Sequence, residues 1–375
     1  MKKSIANHSF FTIAALAAFQ LLTQCSKKED PMPKGIDAVF VGSSDNKLYA
    51  LNSKTGAKLW EFAAKGTVHS SPALAIGMVI VGSSDQNIYA IDLKTGAKVW
   101  GITLDMGIAS APTVTGNTVL VGMGGTSSFT SKLYALDVVT GAKQWEFTVD
   151  GISISSPTVV NGKVFVGGFN NVYALDVKKG TKLWEFGTGA GVDSSPSVVD
   201  GVVYIGSNDY NVYALDAETG AKKWNFSTGG EVSSSPTVTG GSLYIGSFDR
   251  KLYAVNAQTG AKQWEFRTDG AVFSSPTVVN GVVYVASNDH KLYAVDAKTG
   301  AKKWETWSTN RIQASPVVTD SLAYVGGIDG RFFAVDLQSG TKKWEFQTGG
   351  GVYSSAAVLS SSAKTYFSGV SGLQQ

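Results

Sequence analysis

The stretch Lys251 to Phe266, KLYAVNAQTGAKQWEF, occurs eight times with small variations in a chain of 375 residues. Its tryptophan falls at Trp60, Trp100, Trp145, Trp184, Trp224, Trp264, Trp304 and Trp344, at spacings of 40, 45, 39, 40, 40, 40 and 40 residues. Self-similarity at this period means that each unit buries its apolar surface against neighbours and does not fold alone.

Working outward from that stretch, each period holds four strand signals. In the unit that opens at Ser274, Pro276 to Val279 reads as a first strand, Asn280-Gly281 as a tight turn and Val282 to Ala286 as a second strand. A polar corner, Ser287 to His290, leads to a third strand, Lys291 to Val295, and Asp296 to Lys302 turns into a fourth around Trp304. Proline is tolerated at the opening of the first strand because its missing N–H lies outside the ladder. The run VVYVA is apolar on both faces, so its sheet is sandwiched between others, whereas a half-solvated strand would alternate. The pattern predicts an all-β, eight-bladed β-propeller of four-stranded antiparallel blades. Ala38 to Phe62 supplies second, third and fourth strands without a first. Ser354 to Ser368 supplies a first strand at Ala357 to Leu359 and a second segment at Thr365 to Phe367. The N- and C-terminal strands are therefore expected to share one blade and close the ring.

Composition agrees. Charged residues make up 16% of the chain, against an average of about 25%, and there are 43 glycines, which suits short buried strands joined by tight turns. Of the 32 Lys and Arg residues, Lys2 and Lys3 fall in an expected leader, so 30 basic residues stand against 29 acidic ones. That balance gives no general pull toward nucleic acid.

Residues 1–25 read as an export signal: Lys2 and Lys3, then the 13 residues Phe10 to Leu22, too short to span a bilayer. The segment ends at Leu22-Thr23-Gln24-Cys25 and resembles a bacterial lipoprotein signal, with Cys25, the only cysteine, as the lipidated residue. Gln24 departs from the small residue preferred there. Residues 26–35 form a polar tether with two prolines, and 36–375 form the propeller. Within the tether Lys28-Glu29-Asp30 resembles an acidic signal for export to the cell surface. The expected location is the outer membrane or cell surface of a Gram-negative bacterium, on either its periplasmic or its outer face, held by the N-terminal lipid.

Ala214, Asp216, Thr219, Gly220, Lys222 and Trp224 form Ala-x-Asp-x-x-Thr-Gly-x-Lys-x-Trp, which resembles the tryptophan-docking motif of the PQQ-like (quinoprotein) propeller repeat. The resemblance covers nearly all of residues 38 to 368 and implies a girdle in which each indole ties its blade to the next. The residues read the same way unaided: glycine at a turn that needs positive φ, a carboxylate or amide closing that turn, and an aromatic filling the gap between sheets. Asn52 and Asn256 stand for Asp, and Lys179 and Ser339 for Thr. All eight tryptophans are thus assigned to structure.

A scaffold written eight times is its own control, since positions that change at one phase of the repeat are free to carry function. Three residues before the strand-opening proline stand His69, Ala109, Ile154, Asp193, Ser233, Phe273, Gln313 and Tyr353. Two positions earlier the row includes Glu231 and Arg311, and the corner between second and third strands carries Asn46, Gln86, Asn170, Tyr210, Arg250, His290 and Gly330. Length changes also fall in that corner, with extra residues within Met123 to Ser131 and one fewer near Asn170. Strand order puts both sets on one rim, which becomes the expected binding surface, with the hairpin turns on the other. The lysine row Lys58, Lys98, Lys143, Lys182, Lys222, Lys262, Lys302 and Lys342 is expected to be an ordinary solvated face of that second rim.

The resemblance also raises an enzymatic reading, because quinoprotein dehydrogenases hold pyrroloquinoline quinone and calcium in the channel mouth. Here the acids expected near the mouth are Asp193 and Glu231, fewer oxygens than a hard cation needs, and there is no second cysteine. Beyond the leader the histidines are His69 and His290, in no metal-ligand spacing, and Ser70 and Ser71 recur in blades that lack a histidine. Among small propellers of the family, the chain resembles the BamB group of outer-membrane β-barrel assembly lipoproteins. The expectation is a noncatalytic, monomeric, lipid-anchored scaffold that binds an envelope protein or another extended ligand on one propeller face, and no cofactor. The alternatives are a quinone-dependent dehydrogenase and a carbohydrate binder using Tyr210, Phe273 and Tyr353.

Overall fold

The computed structural model describes residues 37–124, 130–151, 155–360 and 365–366. The expected leader with Cys25, the tether, and Ile152 and Ile154 lie outside the described residues. The remainder is eight antiparallel sheets, seven of four strands and one of five, whose first strands stand side by side around a common axis. In the seventh blade the strands are Thr277–Val279, Val282–Ala286, Lys291–Asp296 and Lys302–Trp307, each within a residue or two of the expected bounds. Second and third strands are buried almost end to end, as VVYVA required. Outer strands alternate exposed and half-buried residues.

Five of the hairpins between first and second strands carry positive φ at both central residues, as in 49° at Asn280 and 74° at Gly281. That geometry matches the twist of the strands it joins. Every outer strand carries a bulge at the same place, as between Ala294 and Val295 opposite Trp304 and Lys302. The bulge kinks an edge that would otherwise invite another chain, and six of the eight row lysines sit beside it paired with a glutamate three residues on, as in Lys262–Glu265 at 2.9 Å. Lys98 and Lys222 meet Gly101 and Asn225 where the others have that acid.

The ring closes by Ala357–Leu359 pairing with Ala38–Phe40, so the first blade is shared by both ends. One expectation fails here. Thr365–Tyr366 does not join the shared blade; it pairs with Val318 and Thr319 and makes the eighth blade five-stranded. The second-strand place in the shared blade is already held by Ala38–Gly42, so the returning chain finds its partner on the neighbouring inner edge.

Each docking tryptophan does two things to the next blade. Its Nε1 donates to a backbone carbonyl there, Trp224 to Ala257 at 3.0 Å and, across the closure, Trp344 to Ser53 at 3.1 Å. Its ring lies against the turn glycine: a Cβ on Gly260 would stand 2.9 Å from the Trp224 ring. The indole thus docks on the neighbour's turn, while the alanine of the motif faces it within its own blade, as Ala214 faces Trp224. Nearer the axis a serine ladder links the blades, with Ser195 N donating to Ser235 Oγ at 2.9 Å and Ser235 N to Ser275 Oγ at 2.8 Å.

The turn acids set a pH dependence. Asp216 accepts from Lys223, from the N–H of Thr219 and from its hydroxyl, and these hold its carboxyl at about 2. Asp296 and Asp336 sit at about 2, held first by the N–H groups of Thr299 and Ser339. An unfolded aspartate titrates near about 3.9, so their contribution is full above that pH and is lost as pH falls toward 2. Urea midpoints are expected to fall steeply from pH 4 to 2, and less steeply in Asp296→Asn. A flat profile over that range would refute this account.

Candidate functional site

The two variable rows do share a rim. Backbone bonds tie each inter-blade crossing to the corners beside it, with Ser84 N donating to Thr67 O and Asn208 N to Gly191 O. A corner aspartate that sequence reading passed over fixes this arrangement. Asp209 Oδ2 accepts from Gly189 N at 2.8 Å and from the Tyr213 hydroxyl at 2.7 Å, and the same latch joins Asp45 to Gly349 and Tyr49. Burial and then the aspartate push the Tyr213 phenol well above its usual range. The rim is therefore a rigid platform.

The candidates fall into two concentric sets. The inner set lies at the crossings, where His69 Nε2 is 2.8 Å from Ser44 Oγ and its ring is 5.0 Å from that of Tyr353. Burial holds the His69 imidazole below its usual range. No carboxylate holds its other nitrogen among the described residues, and Asn208 makes the matching link to Asp193 at 2.8 Å and to Ser233 at 3.2 Å. Ser44 and His69 thus tie a corner to the crossing beside it, as Asn208 and Ser233 do. Phe273 packs edge-on against Phe248 at 5.5 Å. Glu231 and Arg311 are exposed, and their carbonyls accept from Phe248 N and Ile328 N; Gln313 is half-buried.

The outer set is the corner tips. Tyr210, Arg250 and His290 all have φ near 70°, a region that favours glycine or asparagine, so these side chains are held at turn apices. Beside His290 stands Trp307, 61% exposed, with the Lys291 ammonium 4.2 Å from its ring centroid. Sequence reading missed Phe248 and Trp307. The signal for Trp307 was present: where six of the other seven copies read Trp-x-Phe, this one reads Trp304-Glu305-Thr306-Trp307.

Exposed large side chains sort by rim. The aromatic ones, Phe169, Tyr210, Phe248, Phe273, Trp307 and Tyr353, lie on the mixed rim, while Leu59, Val99, Val139 and Leu183 lie at bulges or turns toward the hairpin rim. The hairpin rim also holds an open cleft of about 570 Å³ between the sixth and seventh blades, lined by Tyr244, Gln263, Asp296 and Lys303 among others.

Asp193 is occupied with Asn208, Glu231 belongs to the following crossing, and the described residues bring together no group of three or more acidic, histidine or cysteine ligands.

A closed ring of eight blades, each docked by its tryptophan on the next turn, defines a PQQ-like repeat propeller. The family model described as outer membrane protein assembly factor BamB matches residues 26–171, 129–232, 168–278 and 273–372, and the chain belongs to this family. Among solved structures it is similar to BamB from Moraxella catarrhalis, with 23% identity and a TM-score of 0.66 over 79% of this chain and 93% of that one. It is similar also to the computationally designed Ika8 protein, with 15% identity and a TM-score of 0.67 over 84% and 98% of the two chains. The quinohemoprotein alcohol dehydrogenase from Comamonas testosteroni matches with 16% identity and a TM-score of 0.62 over 77% and 68%. At these identities the likeness is one of fold. Comparison with curated proteins gives no match.

Proposed function

We propose that this protein is a noncatalytic scaffold of the bacterial envelope that binds a protein partner in outer-membrane assembly through its mixed rim. A lipid on Cys25 would hold it to the outer membrane of a Gram-negative cell, with residues 26–35 as a spacer. The observation that carries the reading is the gathering of exposed aromatic side chains on the one rim where the repeat varies, in a chain of the BamB family. Aromatic anchors dominate binding energy at protein interfaces, and a rigid platform lowers the ordering cost of using them.

Photo-crosslinking residues placed at Phe273 and Tyr353 are expected to capture a barrel-assembly component in intact envelopes, while one at Val139 on the opposite rim captures none. Phe273→Ala with Tyr353→Ala should weaken that association by at least tenfold. Adducts from Val139 alone would overturn the reading. So would saturable binding of pyrroloquinoline quinone with calcium accompanied by dye reduction, and a glycan-array signal lost in Tyr210→Ala, Phe273→Ala, Tyr353→Ala would move the ligand class to carbohydrate.

A further inference from the structure

The chain holds 28 lysines and four arginines, and the arginines are not scattered. Arg250, Arg267, Arg311 and Arg331 all lie on the mixed rim of the sixth to eighth blades, at corners, at the end of an outer strand or on a crossing. Arg331 is held by Glu345 at 3.0 Å. The other three are exposed, and none forms an ion pair among the described residues. Arg267 stands opposite Lys251 across the ladder, and Thr268 beside it donates to the carbonyl of Arg250 at the apex. Like charges face to face weaken a strand pair. Glu265 does not relieve the arginine, because it is shared by Lys251 at 2.8 Å and Lys262 at 2.9 Å. In every other copy the residue matching Arg267 is uncharged, as in Ala63, Ser227 and Gln347. Arg250 adds a backbone cost, with φ 69° at a site where other corners have Asn46 or Gly330. The corner aspartates are engaged in their latches, Asp249 with Gly229 N and the Tyr253 hydroxyl, Asp289 with Asp269 N and the Tyr293 hydroxyl. The exposed acids left on these crossings are Glu231 and Asp269.

Beside this group the seventh blade moves an aromatic ring from core to surface. Where six copies place a phenylalanine edge-on against the next blade, as Phe266 does on Tyr293 at 5.2 Å, this one has Thr306. The ring comes one residue later, and one step along a strand turns a side chain to the opposite face. Trp307 is thus exposed, with the Lys291 ammonium over its ring, and the bond from Ser308 N to His290 O at 2.7 Å seats it beside the apex of its blade. Lost packing, a strained apex and facing like charges fall on one sector of the rim, and none of them serves the closure of the ring.

Tryptophan and arginine are enriched where binding energy concentrates at protein interfaces. The guanidinium fork meets a carboxylate with two parallel bonds, which an ammonium cannot do. An anionic lipid surface attracts lysine and arginine alike, so arginine in a chain that otherwise uses lysine favours a protein ligand. We propose that the mixed rim of the sixth to eighth blades is the contact surface for an acidic segment of the protein partner, with Trp307 as its apolar anchor and Arg250, Arg267 and Arg311 as its carboxylate clamps. This rests on the scaffold reading given above and narrows it to one sector and one ligand chemistry.

The test places a photoreactive benzoylphenylalanine at Trp307 in the full chain, in washed envelopes. The cross-linked segment is expected to carry more Asp and Glu than Lys and Arg, and its yield should fall at least tenfold in R250E/R267E/R311E. A salt series needs no arginine variant and so guards against a folding defect: raising NaCl from about 0.05 to about 0.5 M should cut the yield at least threefold by screening exposed charges. A captured segment without an acidic excess, or a yield indifferent to salt, overturns the proposal. Adducts to phospholipid or lipopolysaccharide in place of protein overturn it as well and make the surface one for anionic lipid. Capture at Phe273 and Tyr353 with none at residue 307 defeats this proposal alone, whereas silence at all three positions defeats the scaffold reading with it.

Discussion

Trp344→Ala is expected to lower the stability of the propeller by about 3–5 kcal/mol, the range for removing a buried tryptophan without refilling its space. The side chain is 9% exposed and joins the eighth blade to the first, which meets it 291 residues earlier in the chain. Its Nε1 donates to Ser53 O, and its ring covers Gly56 so closely that a Cβ there would stand 2.6 Å from it. The Tyr324 hydroxyl donates to the same carbonyl at 3.1 Å, so Ser53 keeps one partner when the indole is gone. The loss should therefore come mostly from packing, and Trp344→Phe should recover more than half of it. Urea unfolding followed by far-ultraviolet circular dichroism reads both. A loss below 1 kcal/mol for the alanine variant would mean that the ring is closed by strand sharing alone.

That contact was legible because it is written eight times. The Asp-x-x-Thr-Gly turn, the tryptophan four residues after its glycine, and the missing first strand at the N-terminus each have a local cause that the residue string exposes. The tolerated changes have local causes too. Asn256 still offers an oxygen to the N–H groups of Gln258 and Thr259, and Ser339 still offers a hydroxyl to Asp336, so neither alters the turn.

What escaped is what depends on partners distant in the chain. The place of Thr365–Tyr366 is decided by which inner edge is vacant, and a two-residue strand carries too little pattern to announce its neighbour. The corner aspartates looked like turn residues, and only the fold reveals that Asp249 reaches back 20 residues to Gly229 N. The two variable rows share one rim, but its division into crossings and corner tips is a matter of radius, which strand order does not encode. Phe248 stayed hidden because its row was taken for a polar corner, although it packs on Phe273 across a blade junction.

Gly206→Ala is expected to cost about 3 kcal/mol, near the upper end for overpacking a close-fitted site. The glycine ends a second strand, and the crossing that enters the next blade lies directly on it. A Cβ at residue 206 would stand 2.4 Å from Val232 Cγ1 and 2.6 Å from Val232 O. The second of these is backbone and cannot be relieved by a rotamer change, so the crossing itself must lift. The chain shows what lifting looks like, because in the seventh blade this position is Ala286. There the bond that seats the crossing, from Ile312 N to Ser287 O, is 3.4 Å, against 3.0 Å from Val272 N to Ser247 O one blade earlier and 3.2 Å from Val232 N to Ser207 O beside Gly206. Asn288 Oδ1 and Ser308 Oγ, near the same junction, are buried without a hydrogen-bond partner among the described residues. Gly206→Ala should thus loosen the junction between the fifth and sixth blades and raise hydrogen exchange at Val232 at least tenfold. Ala286→Gly should slow exchange at Ile312, although glycine within a strand carries its own entropic cost of about 0.5–1 kcal/mol. Unchanged exchange at both amides would show that the methyl group is accommodated by the blades parting as rigid bodies. In that case the 3.4 Å bond at Ile312 would need another cause, and the nearest one is the Arg311 and Gln313 pair that flanks it on the mixed rim.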